Sequence, residues 1–165
     1  CEDGGHEVRR IEVARLEFPL LRTKDEFEKG TPPDSIKQAQ DAIRWADHLV
    51  IFYPLWLGSM PALLKAFLEQ VFRPGVAFEY RAQGKMAKKL FTGKSARIVV
   101  TMGMPALVYR WFFLAHSLKS LERNILAFCG IKPTRATLIG QVEGMNERQR
   151  ASWLDEMRGL GDVGK

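Results

Sequence analysis

Two short stretches of this sequence have the residue types and placing of a ligand site. The first is Pro54-Leu55-Trp56-Leu57-Gly58, which follows the apolar run His48 to Tyr53. The second is Thr101-Met102-Gly103-Met104, at the end of Ala96 to Thr101. Each leaves a short buried strand and leads into a helix. In open parallel sheets, ligands sit beyond the carboxyl ends of strands, near the point where strand order reverses. Taken on pattern alone, Trp56 and Tyr109 also suit plain packing. His6, His48 and His116 are too scattered in sequence for a metal site, and no metal is expected. No Gly-x-Ser-x-Gly occurs. Gly93-Lys94-Ser95 resembles the end of a phosphate-binding loop. However, Lys88 stands where that loop needs its first glycine, and the segment precedes a strand, so a turn is the better reading.

The elements that must carry these loops alternate. Glu7 to Val13 reads as a strand, and Gly4-Gly5 before it reads as the end of a helix. Residues 14 to 33 read as a surface connection. A helix capped by Asp34 or Ser35 runs to about Ala46, with Ile36, Ala39, Ile43 and Ala46 on one face. After the strand from His48 to Tyr53, a helix spans about Met60 to Phe72, with Ser59 as cap and Leu63, Leu64, Phe67, Leu68, Val71 and Phe72 buried. Residues 75 to 93 read as a long loop or short hairpin. A long helix is predicted from about Val108 to Cys129, with Trp111, Leu114, Leu118, Leu121, Ile125 and Phe128 inward and Gly130 as its stop. Thr134 to Ile139 is the last strand. A final amphipathic helix covers Asn146 to Leu160. Strands alternating with helices predict one α/β domain over residues 1 to 165, a doubly wound parallel sheet with helices on both faces.

Bulk properties narrow the classes. The chain has 165 residues, enough for one core, with 46% hydrophobic and 27% charged residues. No apolar run approaches the roughly 18 to 20 residues of a membrane span. The opening Cys1-Glu2-Asp3 is unlike a signal peptide. Of two cysteines, Cys129 reads as a small core residue, and neither belongs to a disulfide framework, so a cytoplasmic location is expected. The net charge of +6 is dispersed. Its densest cluster, Lys85, Lys88, Lys89 and Lys94, lacks interleaved aromatics, so no nucleic-acid binding is expected; steering of an anionic cofactor is a milder use of the charge.

Tyr53-Pro54-Leu55-Trp56-Leu57-Gly58-Ser59-Met60-Pro61-Ala62-Leu63-Leu64-Lys65 resembles the signature of the NAD(P)H:quinone oxidoreductase (DT-diaphorase-like) family. Gly75 to Tyr80, Thr101 to Met104, Tyr109 and Asn124 to Gly130 extend the likeness in order. The resemblance implies a flavodoxin-like fold, FAD or FMN, NAD(P)H as co-substrate, a quinone-like acceptor, ping-pong hydride transfer and a homodimer. It implies that Pro54 to Gly58 cradles one side of the isoalloxazine ring and Thr101 to Met104 the other. Met104 stands where the family often has a second glycine. Tyr109 matches a tyrosine that steadies charge on the reduced ring. The family histidine aligns with Ala115, with His116 next to it, so His116 is a second catalytic candidate. Family members begin with a strand, a phosphate-binding turn and a helix, and this sequence starts near the end of that helix. The flavin phosphate site is therefore assigned to no residue. An alternative is a flavodoxin-like regulatory or ancillary subunit with little turnover, since relatives serve membrane transporters in that way. A one-electron carrier flavodoxin is disfavoured by the basic charge.

Overall fold

The computed structural model describes residues 1 to 81 and 87 to 164, so Lys85 of the basic cluster lies outside the described residues. Its centre is a three-stranded parallel sheet of β1 (His48–Pro54), β4 (Ser95–Thr101) and β5 (Thr134–Ile139), in the order β1-β4-β5. The register sets Ile51 beside Ile98 and Ile98 beside Ala136. Because side chains alternate across a strand, Leu49, Ile51, Tyr53, Ala96, Ile98 and Val100 share one face. That face joins the core with Ile36 and Ile43 of α2 (Asp34–Trp45) and with Leu64, Phe67, Leu68 and Val71 of α3 (Ala62–Val71). The opposite face holds Arg97, whose Nη1 donates to Thr137 Oγ1 at 2.9 Å, and leaves Val50 and Phe52 of β1 exposed. The α/β parallel architecture is the one the alternation predicts.

Glu7 to Val13 is not a strand; the segment is irregular and ends in a single 3₁₀ turn at Val13–Arg15. A strand is held by its neighbour's ladder, and among the described residues β1 pairs only with β4. Ile11 and Val13 still pack against the core through their side chains. Residues 14 to 33 are more than a surface connection, because they contain α1 (Lys24–Lys29), capped by the Thr23 hydroxyl accepting from Glu26 N–H at 3.1 Å. The buried Arg73 guanidinium, just past α3, donates to the carbonyls of Glu26 at 3.0 Å and Gly30 at 2.7 Å, where α1 ends. It also donates to Gln70 Oε1. Gln70 Nε2 in turn holds the Pro19 carbonyl at 2.6 Å. A charge at the end of a helix satisfies carbonyls that have no partner within it.

The predicted caps also move. Pro33 and Pro61 occupy the cap positions of α2 and α3, where a fixed φ suits the helix start. Ser35 Oγ instead donates to the Glu17 carbonyl at 2.8 Å, and Ser59 belongs to the turn before α3. Leu63 is exposed rather than buried. Residues 75 to 93 include a short hairpin, β2 (Phe78–Glu79) against β3 (Lys88–Lys89). Gly93 makes the expected turn at φ 88°, and Lys94 Nζ donates to the Arg44 and Ala46 carbonyls at the end of α2.

The long helix is divided. α4 (Ala106–Trp111) is separated from a second rod by Leu114 and Ala115, both left-handed at φ 53° and 47°. That rod comprises α5 (His116–Lys119), a π-helical stretch at Ser120–Leu126 and α6 (Ala127–Cys129). The wider π turn shifts the inward face, so Leu126 and Cys129 are buried while Phe128 is exposed. Trp111 and Leu114 are exposed as well, because the break rotates them out of phase. Cys129 is the core residue expected, and burial pushes its thiol up to about 12. Gly130 at φ 105° ends the rod. The last helix, α7 (Glu147–Asp162), opens on an Asn146–Gln149 capping box. Among the described residues, no helix is long and apolar enough to cross a membrane.

His48 gives this fold a pH signature. Its Nδ1 lies 2.7 Å from Ser95 Oγ, and partial burial, aided by Arg97 and Arg135, lowers its pKa below the ordinary value. The unfolded chain therefore takes up a proton that the folded chain resists. Stability should fall as the pH drops below about 6.5 and level off beneath the folded value. Denaturant midpoints between about pH 5 and pH 8 should show this slope in the wild type and a weaker one in His48→Gln; equal slopes would refute the assignment.

Candidate active site

The parallel register brings Pro54 and Thr101 side by side, with Ile139 next to Thr101. All three loops therefore leave the sheet at one edge, and Pro54 to Gly58 and Thr101 to Met104 meet there. Leu55 N–H continues the ladder to the Thr101 carbonyl at 2.7 Å. Trp56 and Ser59 then exchange two backbone hydrogen bonds of 2.9 Å around Leu57 and Gly58, at φ 48° and 75°. Two positive φ values in a two-residue turn suit glycine at the second position. At Leu57 the same conformation costs about 1–2 kcal/mol. The turn leaves Leu57 fully exposed and Trp56 at 62% exposure, so neither is core packing in this chain.

The second loop is anchored beneath. Met102 is buried, and its N–H reaches the Ile139 carbonyl at 2.9 Å. The Met102 and Met104 carbonyls accept from Val142 and Gln141 N–H, both at 3.2 Å. Gly103 is exposed, and a Cβ there would meet only the Glu143 carboxylate, at 3.6 Å. The backbone N–H groups of Leu57, Gly58, Gly103 and Met104 make no hydrogen bond to other described residues. The edge thus offers amide donors beside an exposed indole.

The 140–144 loop, beyond β5, escaped the motif reading. A Cβ on Gly140 would lie 2.4 Å from Ala106 N and 2.8 Å from Met104 O, so this glycine allows the third loop to approach the second. Gln141 is left-handed at φ 55°, and Glu143 reaches Gly103 from this loop. The signal was available as a glycine directly after a third parallel strand.

The two catalytic candidates are placed differently. Tyr109 is 1% exposed, with Oη 2.7 Å from Ser117 Oγ and accepting Leu118 N–H at 3.1 Å. It joins α4 to the start of the second rod. His116 is exposed, just beyond the left-handed Leu114–Ala115 break. Helical phase does not carry across that break, so an offset of one residue from the aligned position says nothing about where the imidazole points. Tyr53 Oη is buried without a partner among the described residues, and burial, with Tyr109 and Glu122 nearby, raises its pKa. Among the described residues no group of His, Cys, Asp and Glu could hold a metal.

A family profile described as "Flavodoxin-like fold" matches residues 1–159. The chain is 25% identical over 158 residues to an "uncharacterized NAD(P)H oxidoreductase" of Haemophilus influenzae, covering 93% of this chain and 77% of the relative. It is 35% identical over 114 residues to "FMN-dependent NADH:quinone oxidoreductase 1" of Hahella chejuensis, covering 62% of this chain and 52% of the relative. The solved NAD(P)H:quinone oxidoreductase of Methanothermobacter marburgensis superposes with a TM-score of 0.79 at 23% identity, covering 98% of this chain and 82% of that one. The chain spans from about half to three quarters of the length of the curated relatives it matches.

Two substitutions test the scaffold. Tyr109→Phe leaves Leu118 N–H buried without its acceptor and should cost about 1–3 kcal/mol in denaturant unfolding. Gly140→Ala must displace backbone and should lower the melting temperature as well. A melt unchanged in either variant would contradict the packing described.

Proposed function

The chain belongs to the flavodoxin-like-fold family, and from that membership we propose that it is a flavin-dependent NAD(P)H:acceptor oxidoreductase of the quinone-reductase type. The observation that carries this reading is the pair of adjacent loops with unpaired amide donors at Leu57, Gly58, Gly103 and Met104 beside the exposed Trp56. Such a donor set suits the nitrogen and oxygen edge of an isoalloxazine, and Trp56 and Leu57 suit its flat apolar body. The names of the Haemophilus and Hahella relatives point the same way.

A bound FMN or FAD supplies hydride acceptance and donation, and the protein supplies seating and electrostatics. Pro54 to Gly58 would hold one side of the ring, and Thr101 to Met104 the other. A nicotinamide and then a quinone-like acceptor use one seat against Trp56 in turn, which makes the kinetics ping-pong. Tyr109 is the candidate donor to negative charge developing on the ring; its Oη accepts from Leu118 N–H and shares a hydrogen bond with Ser117 Oγ, which it would exchange for that donation. His116, exposed just beyond the Leu114–Ala115 break, is the second catalytic candidate. The protein works as a homodimer. The cleft between α1, α3 and the second rod, about 190 Å³ and lined by Phe27, Leu68, Phe72, Phe78 and Phe128, supports a self-association face. Phe128 and Tyr80 are both exposed beside Phe78, at ring separations of 4.9 and 5.3 Å.

Steady-state oxidation of NADH and NADPH with a soluble benzoquinone tests the proposal. The flavin-loaded protein should turn over with parallel double-reciprocal lines. Tyr109→Phe should lose roughly tenfold or more in kcat while still binding flavin. A folded, flavin-loaded protein that oxidises neither nicotinamide would overturn the enzyme reading in favour of a regulatory subunit.

A further inference from the structure

Leu114 and Ala115 are left-handed although neither is glycine, and strain of that kind is kept where the surrounding structure uses it. In an unbroken helix, residues eight apart lie roughly 12 Å apart along the axis. Here the break folds the chain back, and Tyr109 Oη comes within 2.7 Å of Ser117 Oγ. Ala115 N–H bonds to the Tyr109 carbonyl at 3.0 Å and fixes the turn. Both side chains are buried, Tyr109 at 1% and Ser117 at 9% exposure. Leu118 N–H lies at the start of the rod, where amides lack an acceptor within the helix. It donates to Tyr109 Oη at 3.1 Å.

Among the described residues, no other side chain shares this hydroxyl. Ala115 has no polar group, and His116 is exposed and makes no hydrogen bond to Tyr109. Tyr53 Oη, buried in the same core, has no partner among the described residues. Either hydroxyl can be the donor in the 2.7 Å bond, and the direction decides what the pair can do. If Tyr109 donates, its hydrogen is held inside the pair. If Ser117 donates, Tyr109 Oη accepts from Ser117 and from Leu118 N–H, and its one hydrogen is free for a third group. A hydroxyl that accepts in this way is also the stronger donor, since linked hydrogen bonds polarise one another. The reversal needs only rotation of two O–H bonds; no proton passes between the oxygens. Tyr109 is well placed for it, because α4 opens at Ala106, just past the Thr101–Met104 loop.

We propose that Ser117 is the positioning residue of the Tyr109 phenol. Its hydroxyl accepts from Tyr109 in the resting protein, and donates to it when Tyr109 turns its hydrogen toward negative charge on a bound flavin. The proposal rests on the reductase reading of this site. Ser117, and not the exposed His116, is then the group that backs the tyrosine, and the strained Leu114–Ala115 break is what brings it there.

Wild type, Ser117→Ala, Tyr109→Phe and the double variant test it, each loaded with FMN or, where FMN does not bind, with FAD. The midpoint potential of the bound flavin is measured, together with kcat and KM for the better of NADH and NADPH, with a soluble benzoquinone as acceptor. Ser117→Ala removes a single oxygen, so circular dichroism should show a retained fold. The potential should become more negative, and kcat should fall roughly three- to tenfold with KM within about twofold of wild type. In the Tyr109→Phe background the same substitution should move neither readout, because Ser117 acts only through the phenol. A potential and kcat unchanged in Ser117→Ala, whatever its melting temperature, would mark a purely structural role and overturn the proposal. So would an equal loss in the Tyr109→Phe background. A wild type that binds flavin but oxidises neither nicotinamide would overturn the reductase reading instead, and the potentials would still judge the pair. A wild type that binds neither flavin would overturn both.

Discussion

The parallel ladder through β4 is the constraint from which the rest follows. Its register sets Ile98 between Ile51 and Ala136, and Thr101 between Pro54 and Ile139. A slip of one residue would turn the row of Ile98 and Val100 away from α2 and α3. It would also separate the strand ends that bring three loops to one edge. Core and candidate site are therefore consequences of one set of hydrogen bonds, with hydrophobic burial selecting among the registers those bonds allow.

That edge is then shaped by close approach and local strain. Gly140 lets the loop beyond β5 touch the backbone of the second loop. Leu57, Leu114, Ala115 and Gln141 are all left-handed residues other than glycine; Leu57 and Gln141 lie in the first and third loops, and Leu114 and Ala115 join α4 to the second rod. Such conformations persist only where surrounding contacts over-determine them. The Tyr109 hydroxyl, bonded on two sides, and the amide ladder under Met102 are contacts of that kind. Away from the site, the Arg73–Gln70 network fastens the 19–30 segment to the end of α3.

Much of this was legible in the sequence, for identifiable reasons. The strands at His48 and Ala96 are short, largely apolar runs between helix signals, and β4 is buried on both faces; the strand at Thr134 is half polar and is marked by its place between Pro133 and Gly140. The loop residues Pro54 to Gly58 and Thr101 to Met104 could be placed because they terminate those runs. Glu7 to Val13 was misread because alternation predicts a strand only where a neighbour supplies a ladder. The Val108 to Cys129 helix was misread because apolar spacing cannot reveal a left-handed pair at Leu114–Ala115 or a π turn, both of which shift phase without changing composition. The Arg73 network joins residues some forty to fifty positions apart and has no local signature. Gly140 requires knowing which backbone passes within a side chain's reach.

The central claim is that the adjoining Pro54–Gly58 and Thr101–Met104 loops seat a flavin against Trp56. Fluorescence titration of the full-length gene product with FMN and with FAD addresses it most directly. One flavin should bind per chain and quench tryptophan emission. Trp56→Phe should remove most of the quench, and Trp153→Phe should leave it in place. Quenching unchanged in Trp56→Phe, or a folded protein that binds neither flavin, would contradict the account.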